Sequence, residues 1–271
     1  MKKTIICVIL VASLLSLSIL ISIKIWERIK RTRKQKWSEL FVFLPIKKDS
    51  KGISVIICPG GSYYWLDMNN EGFVVAKELN KQGIPAFVLK YRTAKQGCHY
   101  PDMYRDLENA MNFLKDNNEK YGINPNKIGI MGFSAGGHLA GMAAIYSAAQ
   151  LKPYFTAMIY PVVSMDDSIV HKKSRKNLLG NNYTDELKYL MSLEKNVHAN
   201  LPPIFLLHCI GDKTVDYRNS VVFENALIEH NVKYKFLLID ESRNGGHGFG
   251  IKPVGKATGW IFDFLNFINN L

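Results

Sequence analysis

The chemistry of this sequence centres on one serine between two glycines. Gly132, Ser134 and Gly136 form the pattern Gly-x-Ser-x-Gly, which in a nucleophile elbow presents a hydroxyl on a sharp turn between a strand and a helix. The apolar run 128–131 precedes the pattern and a small-residue segment, 135–149, follows it. This setting predicts a serine nucleophile that forms a covalent intermediate. A serine that only caps a helix would show the same five residues, so the assignment depends on its partners.

A serine nucleophile needs a general base, and that base needs an orienting carboxylate. In strand–elbow–helix enzymes the chain order is serine, acid, histidine. His247 lies in the glycine-rich segment 245–250, just after the last predicted strand, and we predict it to be the base. We interpret the other candidates as packing residues, because His230 lies on a predicted helix, His208 in a predicted strand and His138 on the elbow helix.

The orienting acid is predicted to be Asp212, which comes directly after the penultimate predicted strand. Asp216 is better placed to cap the helix that follows. Asp240 and Glu241, which come after the last predicted strand, are weaker alternatives. The predicted triad is therefore Ser134, Asp212 and His247.

A tetrahedral intermediate also needs two backbone N–H donors for its oxyanion. One donor is expected from Ala135, the residue after the serine. The other is expected from Gly61 and Ser62, in the loop 58–63 that follows an early predicted strand. An ordinary Pro-Gly turn would have the same composition, so the assignment of this loop to the oxyanion hole depends on the predicted triad.

Hydrophobic periodicity after Trp37 predicts a mainly parallel, doubly wound sheet with crossover helices. Strands are predicted at 40–44, 53–58, 86–90, 127–132, 157–160, 204–209 and 234–239. Helices are predicted at 70–81, 102–121, 135–149, 217–230 and 254–270. The polar segment 162–201 breaks the alternation and is predicted to be a small cap insertion, with a loop over 172–176 and a short helix near 185–193.

Composition and charge indicate a globular protein rather than a nucleic-acid-binding one. The 271 residues are 47% hydrophobic, enough for the core of one domain. The net charge is +12, but residues 1–36 hold nine Lys and Arg against one acid, while the other 235 residues hold 26 against 22. We therefore predict no nucleic-acid partner. No two of the four cysteines are at Cys-x-x-Cys spacing, so we predict neither a zinc site nor a disulfide framework.

Residues 5–23 carry no charge and would span roughly 28 Å as a helix. We predict a transmembrane anchor there, a basic juxtamembrane segment up to residue 36, and a catalytic domain over 37–271. A cleaved signal peptide ending near residues 16–18 is the alternative, although the apolar run continues beyond that point. The basic flank favours a cytoplasmic domain or contact with anionic lipid, so the side of the membrane stays open.

From residue 53 onward the chain resembles the α/β-hydrolase superfamily, and within it the bacterial acetyl esterase and acetylxylan esterase-like branch, which is BD-FAE-like. The resemblance is carried by the elbow run 124–140, the Pro-Gly-Gly-Ser-Tyr loop 59–63, Glu71-Gly72, Tyr91-Arg92, Tyr160-Pro161 and the Asp212 and His247 segments. Ser62 stands where a third loop glycine is expected; it keeps the amide donor and is expected to narrow the cleft.

This resemblance implies an α/β-hydrolase fold of about seven strands and two-step acyl transfer on short-chain, especially acetyl, carboxylic esters, including those of carbohydrates such as xylan. It implies no metal or organic cofactor. Tyr63, Tyr64 and Trp65 are then predicted to stack on a sugar ring, with packing under the cap as the alternative. Members that act on plant polysaccharide are expected to be exported, which conflicts with the basic flank.

Two other functions stay open at this point. A serine peptidase of the prolyl-oligopeptidase kind has the same elbow and triad order, but we expect such an enzyme to carry a large N-terminal gating domain, which we do not find in this sequence. A non-catalytic, membrane-tethered binding protein with a hydrolase fold is the other. The joint presence of Ser134, Asp212 and His247 counts against it.

Overall fold

The structure, a computed structural model, describes residues 23–29, 38–47 and 51–271. Eight strands form one sheet in these ranges: β1 (Ile23–Ile29), β2 (Ser38–Leu44), β3 (Ser54–Cys58), β4 (Ala86–Lys90), β5 (Ile128–Phe133), β6 (Thr156–Ile159), β7 (Ile204–Cys209) and β8 (Tyr234–Ile239). The helices are α1 (Val74–Lys81), α2 (Asp102–Asp116), α3 (Asn118–Tyr121), α4 (Ala135–Tyr146), α5 (Lys172–Leu179), α6 (Asp185–Leu190), α7 (Arg218–Glu229) and α8 (Trp260–Asn269).

The sheet has the order β1-β2-β4-β3-β5-β6-β7-β8. Strands β3 to β8 pair in parallel, whereas β1 and β2 are antiparallel to their neighbours. Every residue of β3, β5, β6 and β7 is buried, because helices cover both faces of the parallel part. The prediction of an α/β-hydrolase fold with seven mostly parallel strands is confirmed, and β1 is an eighth strand that it did not contain.

The N-terminal predictions fall mostly outside the described residues. Residues 5–22 of the predicted transmembrane segment lie there, and among the described residues no helix has the length and apolar character needed to cross a membrane. The start of the predicted basic segment lies in β1, which pairs with β2 from Ile23 opposite Leu44 to Ile29 opposite Ser38. The charges of this stretch led us to interpret it as a flank, although its backbone forms a strand.

The segment after β6 differs from the prediction at residues 172–176, which form the start of α5 instead of a loop. Ser174 and Leu178 lie one helical turn apart and are both buried, so packing against the domain stabilises a helix whose other face is basic. The short helix expected near 185–193 is α6. The predicted last helix is divided, because Gly259 adopts a φ of +82° before α8 begins.

A buried ion pair stabilises the corner where β4 ends. Arg92 is 1% exposed and Asp106, on α2, is 2% exposed; the guanidinium donates to both carboxylate oxygens, with Nη2 2.8 Å from Oδ1 and Nε 2.9 Å from Oδ2. The preceding residue, Tyr91, donates its hydroxyl hydrogen to the carbonyl oxygen of Pro59 at 2.7 Å. This corner therefore supports the loop that follows β3.

We predict that Asp106→Ala lowers the free energy of unfolding by about 3–5 kcal/mol, since it removes the buried carboxylate that binds the Arg92 guanidinium and leaves only the more distant, partly exposed Asp102, whose Oδ1 lies 3.5 Å from Nη2. Urea denaturation of the full chain measures the change. Asp116→Ala removes an exposed carboxylate from the end of the same helix and is expected to change stability by less than about 0.5 kcal/mol. Equal effects of the two variants would contradict the importance of the pair.

Candidate active site

The nucleophile elbow has the geometry that its glycines predict. Ser134 lies between β5 and α4 with φ 53° and ψ −119°, a conformation that residues with side chains rarely adopt. A Cβ atom on Gly132 would lie 2.0 Å from the carbonyl oxygen of Gly136, and one on Gly136 would lie 2.0 Å from that of Cys58. Strand and helix can approach this closely only because neither position has a side chain.

The structure brings the three predicted triad residues together. His247 Nε2 lies 2.9 Å from Ser134 Oγ, and His247 Nδ1 lies 2.6 Å from Asp212 Oδ2. Asp212 follows β7, and His247 follows the 3-10 turn Arg243–Gly246 after β8. Their strands are parallel to that of the elbow, so the three side chains meet at the carboxyl edge of the sheet.

The alternative acids have other partners. Asp216 accepts a hydrogen bond from the backbone N–H of Arg218 at 2.9 Å and pairs with its guanidinium. It lies one residue before the N-cap of α7, which is Tyr217, so the prediction that Asp216 is the cap is off by one residue. Glu241 accepts from the backbone N–H groups of Ser242 and Arg243. Asp240 is exposed, with Oδ2 3.8 Å from Lys256 Nζ.

Asp212 is a buried carboxylate with several donors. Its Oδ1 accepts from the backbone N–H groups of Thr214 at 2.8 Å and Val215 at 2.9 Å. Burial raises the pKa of Asp212, but hydrogen bonds from His208 and His247 outweigh burial and hold the pKa below its ordinary value. The ionised carboxylate keeps the hydrogen of His247 on Nδ1, so that Nε2 can accept the serine proton.

His208 is a residue of the site that sequence reasoning missed. Its Nε2 lies 3.2 Å from Asp212 Oδ2 and 3.1 Å from the carbonyl oxygen of Val215, and its Nδ1 lies 2.7 Å from Ser220 Oγ. The carbonyl can only accept, so Nε2 carries the hydrogen that it also shares with Asp212. The only sequence signal was its position in a strand, four residues before the acid, which we interpreted as packing.

The loop after β3 lies against the nucleophile. A Cβ atom on Gly60 would lie 2.9 Å from Ser134 Cβ, and the N–H of Gly60 is already donated to Glu71 Oε2 at 2.8 Å. The N–H groups of Gly61, Ser62 and Ala135, the predicted oxyanion donors, have no acceptor among the residues that the structure describes. The amides that sequence reasoning selected are therefore available to a ligand.

The cap holds this loop through a contact that the sequence did not reveal. Ser62, in place of a third loop glycine, has φ 56°. Its carbonyl oxygen accepts a hydrogen bond from Asn177 Nδ2 of α5 at 2.8 Å. The cap and the loop 58–63, the predicted oxyanion loop, are thus linked directly, which places the cap beside Ser134.

Tyr63, Tyr64 and Trp65 were predicted to stack on a sugar ring, and for Tyr63 this prediction is wrong. It is fully buried and its hydroxyl lies 2.9 Å from His138 Nδ1, while His138 Nε2 lies 2.8 Å from the carbonyl oxygen of Met191. Burial lowers the pKa of His138 to about 4, so this histidine is neutral and belongs to the packing between loop, elbow helix and cap. Tyr64 and Trp65 are 44% and 51% exposed and stay candidates for substrate contact.

A cavity of about 310 Å³ lies beside Asp212. It is lined by Ser168, Ile169, Val170, Asp212, Lys213, Thr214 and Asp216. The first three residues come from the cap, and the others come from the loop after β7. Among the described residues, no group of three or more His, Cys, Asp or Glu side chains is arranged to hold a metal ion.

Comparison with known proteins gives one family. The family model BD-FAE matches residues 40–227, which include the elbow and the acid. The acetylxylan esterase of Xylanibacter ruminicola is 32% identical over 217 residues, covering 79% of this chain and 44% of that protein. Endo-1,4-beta-xylanase B of Butyrivibrio fibrisolvens is 31% identical over 259 residues, covering 86% of this chain and 40% of that protein. The chain thus spans less than half the length of these two relatives.

A solved structure also matches most of the chain. The acetyl ester-xyloside bifunctional hydrolase from Caldicellulosiruptor lactoaceticus superposes with a TM-score of 0.72 at 30% sequence identity. The match covers 85% of this chain and 86% of that one. The shared architecture therefore extends over most of the chain.

We predict that a fluorophosphonate labels Ser134 of the intact chain and that Asp212→Asn slows labelling by about ten-thousandfold, because the amide no longer holds the histidine in its reactive tautomer. Mass spectrometry of the labelled peptide and the labelling rate measure this. Asp216→Asn, a change to the neighbouring carboxylate that contacts Arg218 instead, is expected to label at the wild-type rate. If Asp216→Asn were labelled slowly and Asp212→Asn at the wild-type rate, the orienting acid would be Asp216 and the prediction would be wrong.

Proposed function

The chain belongs to the BD-FAE family, and from the geometry of its triad we propose that it is a serine carboxylic ester hydrolase that acts on short-chain, especially acetyl, esters. The observation that carries the proposal is the continuous hydrogen-bonded series from Ser134 through His247 to Asp212. Beside it lie backbone amides of Gly61, Ser62 and Ala135, for which the described residues provide no acceptor. A nucleophile, a base, an orienting acid and oxyanion donors are the groups that acyl transfer requires.

The first step acylates the serine. His247 Nε2 takes the proton of Ser134 as Oγ attacks the ester carbonyl carbon, and Asp212 stabilises the imidazolium that forms. The carbonyl oxygen becomes an oxyanion, which the N–H groups of Ala135 and of Gly61 or Ser62 stabilise. His247 then gives its proton to the leaving alcohol oxygen as the carbon–oxygen bond of the ester breaks.

The second step releases the acid. A water molecule takes the place of the alcohol, His247 removes its proton, and the resulting hydroxide attacks the acyl-enzyme. The same amides stabilise the second oxyanion, and His247 returns the proton to Ser134 Oγ as the ester bond to the enzyme breaks. The chain's own groups supply every proton transfer in both steps.

We propose a carbohydrate, such as an acetylated xylooligosaccharide, as the alcohol half of the substrate. Two named similarities support this: one relative is an acetylxylan esterase and one solved structure is an acetyl ester-xyloside hydrolase. Two features of the chain agree with it. Exposed Tyr64 and Trp65 follow the oxyanion loop and offer flat surfaces with polar tips, and the cavity beside Asp212 has hydroxyl and charged groups that suit a polyhydroxylated ligand.

We predict that the chain hydrolyses nitrophenyl acetate and that its activity declines along the ester series toward octanoate. Ser134→Ala is expected to lower the activity by up to about a millionfold, the scale seen when a catalytic serine is removed. Hydrolysis of the series by the full chain measures this, and acetate release from acetylated xylooligosaccharides then tests the alcohol. Wild type and variant that are equally inert on all esters would contradict the proposal. Cleavage of an aminoacyl-nitroanilide in their place would favour the peptidase.

We also propose that residues 5–22, which precede β1, anchor the chain in a membrane, on the support of their uncharged composition and basic flank. The full chain is then expected in the membrane fraction after an alkaline carbonate wash. Changing Leu14 and Leu15 to Arg is expected to release it, since each arginine at the centre of a span opposes insertion by about 2.5–3.5 kcal/mol. A soluble mature protein whose N-terminus begins near residue 19 would show that the segment is a cleaved signal peptide.

A further inference from the structure

A buried carboxylate beside the oxyanion loop, the loop 58–63, has no Lys or Arg partner in the part of the chain that the structure describes. Glu71 lies in the π-helical turn Asn69–Phe73 and is 3% exposed. No described Lys or Arg forms an ion pair with it. Its oxygens instead accept two hydrogen bonds, from the N–H of Gly60 at 2.8 Å to Oε2 and from the hydroxyl of Tyr160 at 2.8 Å to Oε1. Burying a carboxylate without a cationic partner costs folding free energy, which directs attention to what the carboxylate does in the site.

Tyr160 carries the connection from Glu71 to the catalytic histidine. It follows β6, and its ring centroid lies 4.6 Å from that of His247. Its hydroxyl oxygen accepts a hydrogen bond from the N–H of Gly250 at 2.9 Å. The tyrosine therefore contacts the histidine loop, the segment 245–250, twice: its ring contacts the imidazole of His247, and its hydroxyl binds the N–H of Gly250.

The neighbour of Glu71 makes a parallel connection. Asn70 Nδ2 donates to the carbonyl oxygen of Gly248 at 2.8 Å, and a Cβ atom on Gly250 would lie 2.5 Å from the Asn70 carbonyl oxygen. The turn Asn69–Phe73 is thus packed against the histidine loop, while Glu71 also holds Gly60. Two halves of the active site that are far apart in sequence meet at this one turn.

We propose that Glu71 is a positioning residue for the reaction: it holds the oxyanion loop through Gly60 and the histidine loop through Tyr160, and its negative charge favours the imidazolium that His247 forms in each proton transfer. This inference rests on the proposed function for its substrate. Glu71 is not expected to contact the ester itself, because it acts on the reaction through Gly60, Tyr160 and His247.

Titratable groups surround both Glu71 and His247. The pKa of Glu71 is raised, because burial outweighs the hydrogen bonds from Tyr160 and Gly60 and the attraction to His247, which act in the opposite direction. Tyr160 joins the two residues, since its hydroxyl binds the Glu71 carboxylate and its ring contacts the imidazole. The other titratable groups around the two residues are Asp67, Tyr91 and Tyr160 near Glu71, and Asp212 and His171 near His247.

Glu71→Gln tests the charge while keeping the size of the side chain and an acceptor oxygen. With nitrophenyl acetate we expect kcat to fall by about tenfold to a hundredfold, the scale of a lost electrostatic contribution, with KM changed by less than about twofold. The acidic limb of the kcat/KM profile is expected to move to lower pH, because removal of the anion disfavours the protonated base. Tyr160→Phe, which keeps the ring against His247 but lacks the hydroxyl, is expected to lower kcat as well.

Glu194→Gln is the matched control. Glu194 is also a largely buried glutamate whose pKa burial raises, and its Oε1 accepts from Ser164 Oγ at 2.7 Å in the cap. No triad residue is among the groups that bind it or shift its pKa. We expect wild-type kcat and an unmoved acidic limb for this variant. Circular dichroism at the assay temperature establishes that all variants are folded.

Two results would overturn the inference: a Glu71→Gln variant with wild-type kcat, or a loss of kcat with the acidic limb unmoved, which a purely structural acceptor would give. Fluorophosphonate labelling of Ser134 across pH separates this inference from the proposed function. If wild type is labelled yet hydrolyses no ester, the proposed substrate class is wrong, and the labelling rates of Glu71→Gln and Glu194→Gln still decide the role of Glu71.

Discussion

The active site depends on one strained backbone position. Ser134 is held at φ 53° and ψ −119° at the end of a strand that is buried along its whole length. The surrounding structure sustains this strain because β5 and α4 hold Ser134 on both sides. The carbonyl oxygens of Gly136 and Cys58 lie where a Cβ atom on Gly132 or Gly136 would clash with them, so the close packing requires glycine at both positions. With the elbow in this conformation, the hydroxyl faces the histidine loop and the oxyanion loop lies against it.

Around this elbow, three buried carboxylates are stabilised in three different ways. Asp106 is neutralised by the Arg92 guanidinium and supports the fold. Asp212 is bound by two backbone amides and two histidines, which keep it ionised. Among the described residues, Glu71 accepts hydrogen bonds from two neutral donors, the N–H of Gly60 and the hydroxyl of Tyr160, and forms no ion pair with Lys or Arg. The three carboxylates therefore differ in the charge of the groups that bind them.

The cap contributes to the site without supplying a triad residue. Asn177 binds the carbonyl oxygen of Ser62, and Met191 accepts a hydrogen bond from His138 behind the oxyanion loop. Cap residues also line the cavity beside Asp212. The insertion between β6 and β7 therefore shapes the space beside Asp212 and Ser62, while the strands of the sheet hold Ser134, Asp212 and His247 together.

The sequence by itself determined the parallel sheet, the elbow, and the choice of Asp212 and His247. These follow from local patterns: buried strands read as apolar runs, the elbow needs its glycines, and parallel strands bring their carboxyl ends to one edge. Only the tertiary structure decided that Tyr63 is buried, that His208 contacts the acid, and that residues as distant as Glu71 and Tyr160 share a hydrogen bond. Contacts of this kind depend on how loops from different strands pack, and no spacing along one chain encodes them.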